Sequence, residues 1–446
     1  MTTFSTLQSI EKAWAERSTS VAGESRQSFE RRERLLRSAI KDGIPTTRHE
    51  EWKYTSLRPL VDQSFRLWSS LPSPALDSAV DALVKSKLIP DATYLVFIDG
   101  ILNARLSSLE ELTSLGFRTL AEAESTNDAS WWDFWQTSPG MNGLFAGINV
   151  GFVRDGALLE LKKNQIVSRP LHILHVVTGH ADAAASATRL LISVPEGARL
   201  RVFEDFISVS ESSSGWSNGL TQFKLGPRAD CGYYRVLSSP GKFHTATISA
   251  VLDRGSRFET FSLVAGSRLA RINIDVKFTA TDAECILNGL YLTRDQEHVD
   301  HHTVVDHQVG FCRTHQLYKG ILADESRAVF NGKIYIRKDA QKTEAYQTTK
   351  NLLLSKNAEV DAKPQLEIDA DDVKASHGAA IGSIDPLELF YLQSRCIGRA
   401  EAMAMLCRGF ADDVVLRLQD KSAKSILSKH VSQWFKHEVS RGGSNT

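Results

Sequence analysis

The stretch DRGSRFETFSLVAGSRLARINIDVKFTATDAE, residues 253–284, carries the plainest fold signal in this chain. It contains two runs rich in β-branched and aromatic residues, 257–264 and 271–280, with a turn signal before the first and after the second. Short runs of this composition between turn residues are typical of β-strands. No helical pattern of ten or more residues separates the runs, so the two strands follow each other almost directly along the chain.

The same texture extends from about residue 150 to 380, with further predicted strands at 190–194, 199–206, 231–237, 245–252 and 328–336. Turn signals recur roughly every 27–31 residues, as between Gly255 and Asp282. Strands at a fixed repeat without crossover helices predict a β-solenoid, in which each coil stacks on its neighbour. A β-sandwich is the alternative interpretation, because its strands show a similar alternation.

Both ends of the chain have a helical pattern. Residues 24–41 place apolar residues at near-helical spacing among charges, and a short strand signal follows at 93–100. Near the other end, Asp385 is a good N-cap and Pro386 fits the first turn of a helix. Two further helices are expected over about 399–418 and 423–439.

These changes of texture divide the chain into three expected domains: a helical and mixed domain over 1–149, the solenoid over 150–384 and a helical domain over 385–446. The first domain contains the aromatic cluster Trp131, Trp132, Phe134 and Trp135. We expect this cluster to pack against the neighbouring core, because aromatic side chains carry a large burial free energy. The other interpretation is a membrane-interface or ligand-stacking role.

The composition argues against several classes of function. Lys plus Arg and Asp plus Glu both total 53 among 446 residues, so the basic surplus usual in nucleic-acid-binding proteins is missing. The five cysteines are scattered without a CxxC pair, which fits reduced thiols better than a disulfide framework or a ferredoxin-like site. The first residues lack a secretory-signal pattern, and no run approaches about eighteen apolar residues. We therefore expect a cytoplasmic protein with neither nucleic-acid nor membrane partners.

Sequence motifs of nucleotide-binding proteins, serine hydrolases and zincins are absent. The densest group of potential metal ligands is DHHTVVDH, residues 300–307. In an extended strand His301 and His307 share one face and His302 lies on the other, because side chains alternate. Such groups could hold iron or zinc, or they could form hydrogen-bonded ladders on a coil or a subunit interface. A second candidate is His377, which lies just before the C-terminal helices.

A long ordered set of segments stands between residues 313 and 398: QLYKGIL (316–322), AVFNGKIYI (328–336), AQKTEAYQTTKNLLLS (340–355), KPQLEIDADDVKASHGAAIGSID (363–385) and LFYLQSR (389–395). This set resembles the SufB/SufD family of iron–sulfur cluster assembly proteins. The N-terminal motif PTTRHEEWKYTSL (45–57) is also similar to the corresponding motif of SufD members. His377-Gly378-Ala379 followed by Ile381-Gly382 is the SufD rather than the SufB version of its motif.

The resemblance implies a mainly β fold, a right-handed parallel β-helix flanked by N-terminal and C-terminal helical domains. It implies a non-enzymatic scaffold subunit that pairs with a SufB-like subunit through the β-helix. The isolated chain could also form a homodimer. The C-terminal helices would dock a SufC-like ABC-type ATPase. The candidate docking residues are Phe390, Tyr391, Arg395, Leu406 and Phe410, although the apolar ones could instead pack the terminal helices together.

The resemblance also implies a role for one histidine. His377 corresponds to the SufD histidine at the interface with SufB, where it is a candidate metal contact for a nascent iron–sulfur cluster. Ala375 stands where many relatives have a cysteine, so this position supplies no thiolate. No cofactor is expected to be bound permanently, and a transient iron–sulfur cluster is expected only in the complex.

Two other functions stay open from the sequence. Parallel β-helices also occur in carbohydrate-active enzymes, whose sites need paired carboxylates or basic groups in a surface groove. A SufB-like homodimeric scaffold would build clusters alone, and it would need the cysteine that Ala375 replaces.

Overall fold

The computed structural model describes residues 5–20, 25–63, 65–67, 78–125, 138–178, 185–209, 215–238 and 243–442. The aromatic cluster Trp131, Trp132, Phe134 and Trp135 lies outside these residues. Strands dominate from residue 155 to 382, and most of the helices lie before or after them. The expected mainly β fold with helical segments at both ends is confirmed.

The strands are β1 Thr93–Ile98, β2 Ile101–Leu102, β3 Phe117–Thr119, β4 Asp155–Glu160, β5 Leu171–Val177, β6 Ala185–Val194, β7 Arg199–Ser208, β8 Trp216–Leu225, β9 Asp230–Ser238, β10 Phe243–Leu252, β11 Arg257–Ala265, β12 Leu269–Phe278, β13 Glu284–Thr293, β14 His298–His307, β15 Arg313–Leu322, β16 Arg327–Ile336, β17 Glu344–Leu353, β18 Glu359–Ile368 and β19 Lys374–Gly382. They form a ten-stranded sheet, β19-β17-β15-β13-β11-β9-β7-β5-β1-β2, and a nine-stranded sheet, β18-β16-β14-β12-β10-β8-β6-β4-β3. From β4 onward successive strands alternate between the sheets and pair in parallel with one another. The pairs β1–β2 and β3–β4, at the other end of the sheets, are antiparallel. This topology is a parallel β-solenoid, and it excludes the β-sandwich.

The length of one coil is visible in the strand register. Arg257 pairs with Glu284, then Arg313, Glu344 and Lys374 follow at steps of 27, 29, 31 and 30 residues. The repeat predicted from the turn signals is therefore confirmed.

The corners of the solenoid explain the turn signals. One residue at each of five corners has a φ between +55° and +66°: Gly197, Arg228, Gly255, Asp282 and Asp324. Glycine adopts this left-handed conformation without a steric penalty, and aspartate adopts it more readily than most residues. Backbone hydrogen bonds stack the corners, as from the Gly255 N–H to the Thr281 oxygen at 3.0 Å. Turn chemistry thus fixes where each coil bends.

The helices are α1 Leu7–Ser20, α2 Arg26–Ile40, a 3-10 helix Glu50–Trp52, α3 Arg58–Val61, α4 Ser78–Lys87, α5 Leu109–Ser114, α6 Leu120–Ser125, α7 Leu144–Phe152, α8 Pro386–Ser394, α9 Arg399–Val415 and α10 Lys421–Gly442. The predicted helix over 24–41 is α2, and the predicted C-terminal helices are α8 to α10. The Asp385 side chain caps α8 by accepting a hydrogen bond from the Leu387 N–H at 2.8 Å. No helix among the described residues is long and apolar enough to cross a membrane.

Apolar residues fill the interior of the solenoid and also pack under helices on the outer face of each sheet. Its interior is an apolar core to which both sheets contribute, for example Phe258 and Ile272. Helices α9 and α10 cover the outer face of the ten-stranded sheet around Leu290, and the N-terminal helices cover the outer face of the other sheet around Trp216. Strands that are buried on both faces read as near-continuous apolar runs, as observed in the sequence. β1 belongs to the ten-stranded sheet although it precedes residue 150 in the chain. The domain boundaries at 149 and 384 therefore stay a prediction.

Candidate functional site

His377 lies on β19, the last strand of the ten-stranded sheet. β19 pairs with β17 on one edge, and its other edge has no strand partner among the described residues. Gln347 is the register partner of His377 on β17. The His377 side chain is exposed because the solenoid ends one strand after Gln347.

The other sheet also ends at this position, with β18 as its last strand. Together β18 and β19 form the open end of the solenoid, where interior positions meet solvent. Ile368 on β18 is 42% exposed and Ile381 on β19 is 51% exposed. Pro364 within β18 fits an edge strand, since proline lacks the N–H that a central strand donates. An open end with apolar side chains and unpaired strand edges is a surface that proteins normally cover.

The structure places Ala375 in register with Ala345 and, two strands further on, with Cys285. Cys285 is buried in the interior, and burial raises the pKa of its thiol above the usual range. Cys231 is also buried, which raises the pKa of its thiol to about 12. Neither thiol is exposed for reaction at the open end, so the loss of cysteine at position 375 has no replacement from these two residues.

The second histidine candidate, the DHHTVVDH strand, is β14. His301 and His307 point into the interior, where His307 stacks on Phe278 with ring centroids 4.3 Å apart. Burial lowers the pKa of both imidazoles to about 3, so both are neutral at pH 7. No group of three or more His, Cys, Asp or Glu side chains that could hold a metal exists in the described parts of the chain. The structure therefore favours the structural interpretation of this strand.

These buried histidines predict a pH dependence of stability. The folded-state pKa of His307, about 3, lies below the unfolded value of about 6.5, so the unfolded state binds the proton first as pH falls. The stabilising contribution is therefore complete above about pH 6.5 and is lost toward pH 3. Between pH 7 and 5 one such group lowers the free energy of unfolding by about 2 kcal/mol. The free energy of unfolding, measured with urea, should fall between pH 7 and pH 5. We expect this fall to be about 2 kcal/mol smaller in His307→Gln than in the wild type.

The change in the free energy of unfolding between pH 7 and pH 5 must be compared with the same change in the wild type, because other buried groups also contribute to it. Buried Asp275, whose pKa burial raises to about 7, contributes with the opposite sign, and His301 contributes with the same sign as His307. His315→Gln is the matched control, because the His315 ring is exposed. If the free energy of unfolding changed with pH in His307→Gln as it does in the wild type, the His307 imidazole would already be charged in the folded state.

The outer face of β14 holds the N-terminal motif. Arg271 Nη1 lies 2.5 Å from Asp300 Oδ2, and the side chains are 4% and 0% exposed. The Thr55 hydroxyl donates to the same carboxylate at 2.5 Å, and the Arg271 guanidinium lies 4.2 Å from the centre of the Trp52 ring. Burial alone would raise the pKa of Asp300, but Arg271 and His302 hold it below its usual range. The motif over 45–57 is thus the clamp that attaches the N-terminal segment to the solenoid.

The candidate docking residues on α8 face solvent. Phe390 is 69% exposed and Tyr391 58%, and the Arg395 guanidinium lies 5.3 Å from the centre of the Tyr391 ring. Leu387, which lies three and four residues before Phe390 and Tyr391 and therefore on the same helix face, is 76% exposed. Leu389 on the opposite side is buried. Helix α8 therefore presents its apolar stripe outward instead of to the core.

The candidates on α9 have another position. Leu406 and Phe410 are partly buried and line a groove between α9 and the last residues of β19, among them Ile381. The Phe410 ring lies 4.2 Å from Lys319 Nζ, which also donates to the Phe410 carbonyl oxygen at 2.9 Å. Lys319 forms an ion pair with Asp413 at 2.7 Å. Phe410 thus packs α9 onto the sheet. From the sequence alone, this packing role could not be distinguished from docking of the ATPase.

The family profile described as "SUF system FeS cluster assembly, SufBD core domain" matches residues 175–410, more than half of the chain. The chain belongs to the SufBD family. The match spans β5 to β19 together with α8 and most of α9, so it includes His377 and all five candidate docking residues.

Relatives within the SufBD family are similar over most of the chain. The chain is 30% identical over 401 residues to the iron–sulfur cluster assembly protein SufD of Escherichia coli K12, with 89% of this chain and 91% of that protein covered. It is 27% identical over 403 residues to an iron–sulfur cluster assembly SufBD family protein of Synechocystis, with 87% of each covered. It is 29% identical over 297 residues to the chloroplastic protein ABCI7 of Arabidopsis thaliana, with 65% and 62% covered. The chain is thus a SufD-type member with a role in iron–sulfur cluster assembly.

Proposed function

We propose that this chain is a non-enzymatic scaffold subunit that pairs with a SufB-like subunit through the open end of its solenoid. The observation that carries the proposal is the arrangement of β18 and β19, whose free edges and exposed apolar residues surround His377. Strand edges of this kind are templates for pairing with another chain. The iron–sulfur cluster is the cargo of the complex, and His377 contributes a neutral imidazole, a good ligand for iron, where the two subunits meet.

A second surface serves the ATPase. Leu387, Phe390 and Tyr391 form an apolar stripe on α8 that faces solvent, and a helix stripe of this kind normally faces a core or a partner. Lys319 and Phe410 hold α9 on the sheet below it. Movement of a SufC-like ATPase bound to α8 would therefore be passed to β13 and β15, the strands that α9 covers. We place this assembly in the cytoplasm.

The two surfaces can be tested by a double dissociation. We expect Ile368→Lys to weaken pairing with the SufB-like subunit at least about tenfold, because it places a charge in an apolar contact, and to leave binding of the ATPase unchanged. Phe390→Lys should do the opposite. Co-purification of the full-length chain with both partners, followed by quantification of each bound subunit, measures the two effects.

Leu416→Lys is the control, because Leu416 is a 60% exposed apolar residue at the C-terminal cap of α9 and belongs to neither proposed surface. Loss of both partners in one variant would mean that the two surfaces are not separate. If Ile368→Lys kept the SufB-like subunit but dissociated a homodimer of the isolated chain, the open end would serve self-association and the pairing proposal would be wrong.

A further inference from the structure

A ladder of polar side chains inside the solenoid leads to His377. The Thr303 hydroxyl on β14 donates to Gln316 Oε1 on β15 at 3.0 Å, and Gln347 Nε2 on β17 donates to the same oxygen at 2.9 Å. Gln316, Gln347 and His377 are successive register partners in the ten-stranded sheet. The ladder therefore continues, one strand at a time, up to the open end.

Two atoms of this ladder, Gln316 Nε2 and Gln347 Oε1, have no hydrogen-bond partner among the described residues, and Gln347 Oε1 belongs to the strand next to His377. Gln347 is 1% exposed, and its Oε1 makes no hydrogen bond among the described residues. A buried carbonyl oxygen without a donor loses its hydration and gains nothing in return, so such atoms are rare in folded proteins. The next side chain in register is His377, about 4.8 Å away along the sheet, which is the strand spacing.

The facing sheet leaves space for this amide. A Cβ atom on Gly332 of β16 would lie 2.1 Å from Gln347 Nε2. Any residue larger than glycine at this position would displace the Gln347 side chain. Gly332 on β16 therefore leaves the room that the Gln347 amide occupies. This observation does not depend on the hydrogen bonds of the ladder.

We propose that Gln347 is a positioning residue for His377. The two side chains are not hydrogen-bonded in this structure, but rotation of the exposed His377 side chain would let one ring N–H donate to the free Oε1 and would hold the neutral imidazole in a single tautomer. The other ring nitrogen then keeps its electron pair and points toward the open end. This inference rests on the proposed function, in which His377 contacts the nascent cluster.

The chemistry of metal-binding histidines supports this assignment. A neutral imidazole has one N–H and one free electron pair, and only the latter binds a metal ion. Ligating histidines almost always donate their remaining N–H to a carbonyl or carboxylate, and loss of that acceptor typically costs about 10–100-fold in metal affinity. Gln347 supplies such an acceptor from a buried, fixed position.

The test compares Gln347→Met with Gln347→Glu in the full-length chain. Methionine has a similar length but no acceptor, and glutamate keeps an acceptor oxygen; the unpaired Gln316 Nε2 can turn to donate to it. The first readout is the tautomer of His377 in the isolated chain, from its imidazole ¹⁵N shifts, assigned with His377→Ala. We expect one dominant tautomer in the wild type and in Gln347→Glu, and a mixture in Gln347→Met. The second readout is the iron and sulfide content of the co-purified complex, which should fall about tenfold in Gln347→Met and be restored in Gln347→Glu.

Thr349→Val is the matched control, because Thr349 is equally buried on the same face of β17 but is in register with Ala379. It should leave both readouts unchanged. An unchanged tautomer in Gln347→Met would overturn the inference, even if the cluster content fell, because a purely structural role predicts that pattern. If instead the tautomer changes but His377→Ala keeps its clusters, the hydrogen bond is real and the proposed role of His377 in cluster assembly fails.

Discussion

Asp300→Ala is expected to lower the free energy of unfolding by about 3–5 kcal/mol. The substitution removes the only carboxylate that Arg271 pairs with in the described chain and leaves that guanidinium almost fully buried. It also removes the acceptor of the Thr55 hydroxyl. An unpaired buried charge carries a desolvation cost that the neutral contacts left to Arg271, with Trp52, the Glu51 carbonyl and Asn273 Oδ1, do not offset. Urea unfolding at pH 7 measures the loss.

Asp306→Ala is the matched control for this prediction. Asp306 lies on the same strand and the same face as Asp300, and it pairs with Arg337 at 2.7 Å. The Arg337 side chain is 46% exposed, so this pair should contribute only about 0–1 kcal/mol. Equal losses in the two variants would mean that Asp300 is hydrated in solution. Limited proteolysis should also cut the Asp300→Ala variant within residues 45–57, because the clamp is lost.

The repeat and the corners of the solenoid could be predicted because their causes are local. A turn needs a residue that tolerates a positive φ, and Gly255 and Asp282 show this in the sequence itself. The period follows from the distance between such residues. The helix start at Asp385 could be predicted for the same reason, since a cap and its first turn are adjacent in the chain.

The position of each histidine could not be predicted in this way. Alternation placed His301 and His307 on one face of β14, but strands buried on both faces do not show which face is inward. The partner of the N-terminal motif was also hidden, because Thr55 and Asp300 are 245 residues apart. Contacts at such separations leave no periodic trace in a single sequence.

The C-terminal helices show a third kind of limit. Their apolar residues predicted burial as well as docking, because a single sequence gives the stripe of a helix but not what covers it. The structure divides them: Phe410 packs on Lys319, while Phe390 and Tyr391 face solvent. In contrast, Pro364 indicates from the sequence alone that β18 is an edge strand, because proline cannot donate a hydrogen bond to a neighbouring strand.

His377→Ala is expected to leave the complex assembled but to lower its iron and sulfide content at least about tenfold. The substitution removes the imidazole that the motif offers at the open end, and Ala375 supplies no thiolate in its place. Loss of an outer acceptor alone typically costs about 10–100-fold in metal affinity, so loss of the ligand itself should cost at least as much. The backbone of β19 pairs with β17 along its length, so alanine at 377 should keep the strand in place. Complementation in cells and the iron and sulfide content of the purified complex measure the effect.

His315→Ala and His307→Gln separate this role from those of other histidines. His315 is exposed on the outer face of β15, and His307 is buried inside the solenoid. Neither substitution should change the cluster content of a complex that assembles. If His377→Ala behaved as the wild type in both assays, His377 would be an interface residue without a role in the cluster. If it prevented assembly, its contribution would lie in subunit pairing. If His307→Gln lost clusters while His377→Ala kept them, the functional histidine would lie on β14, and the open end would serve only to join the subunits.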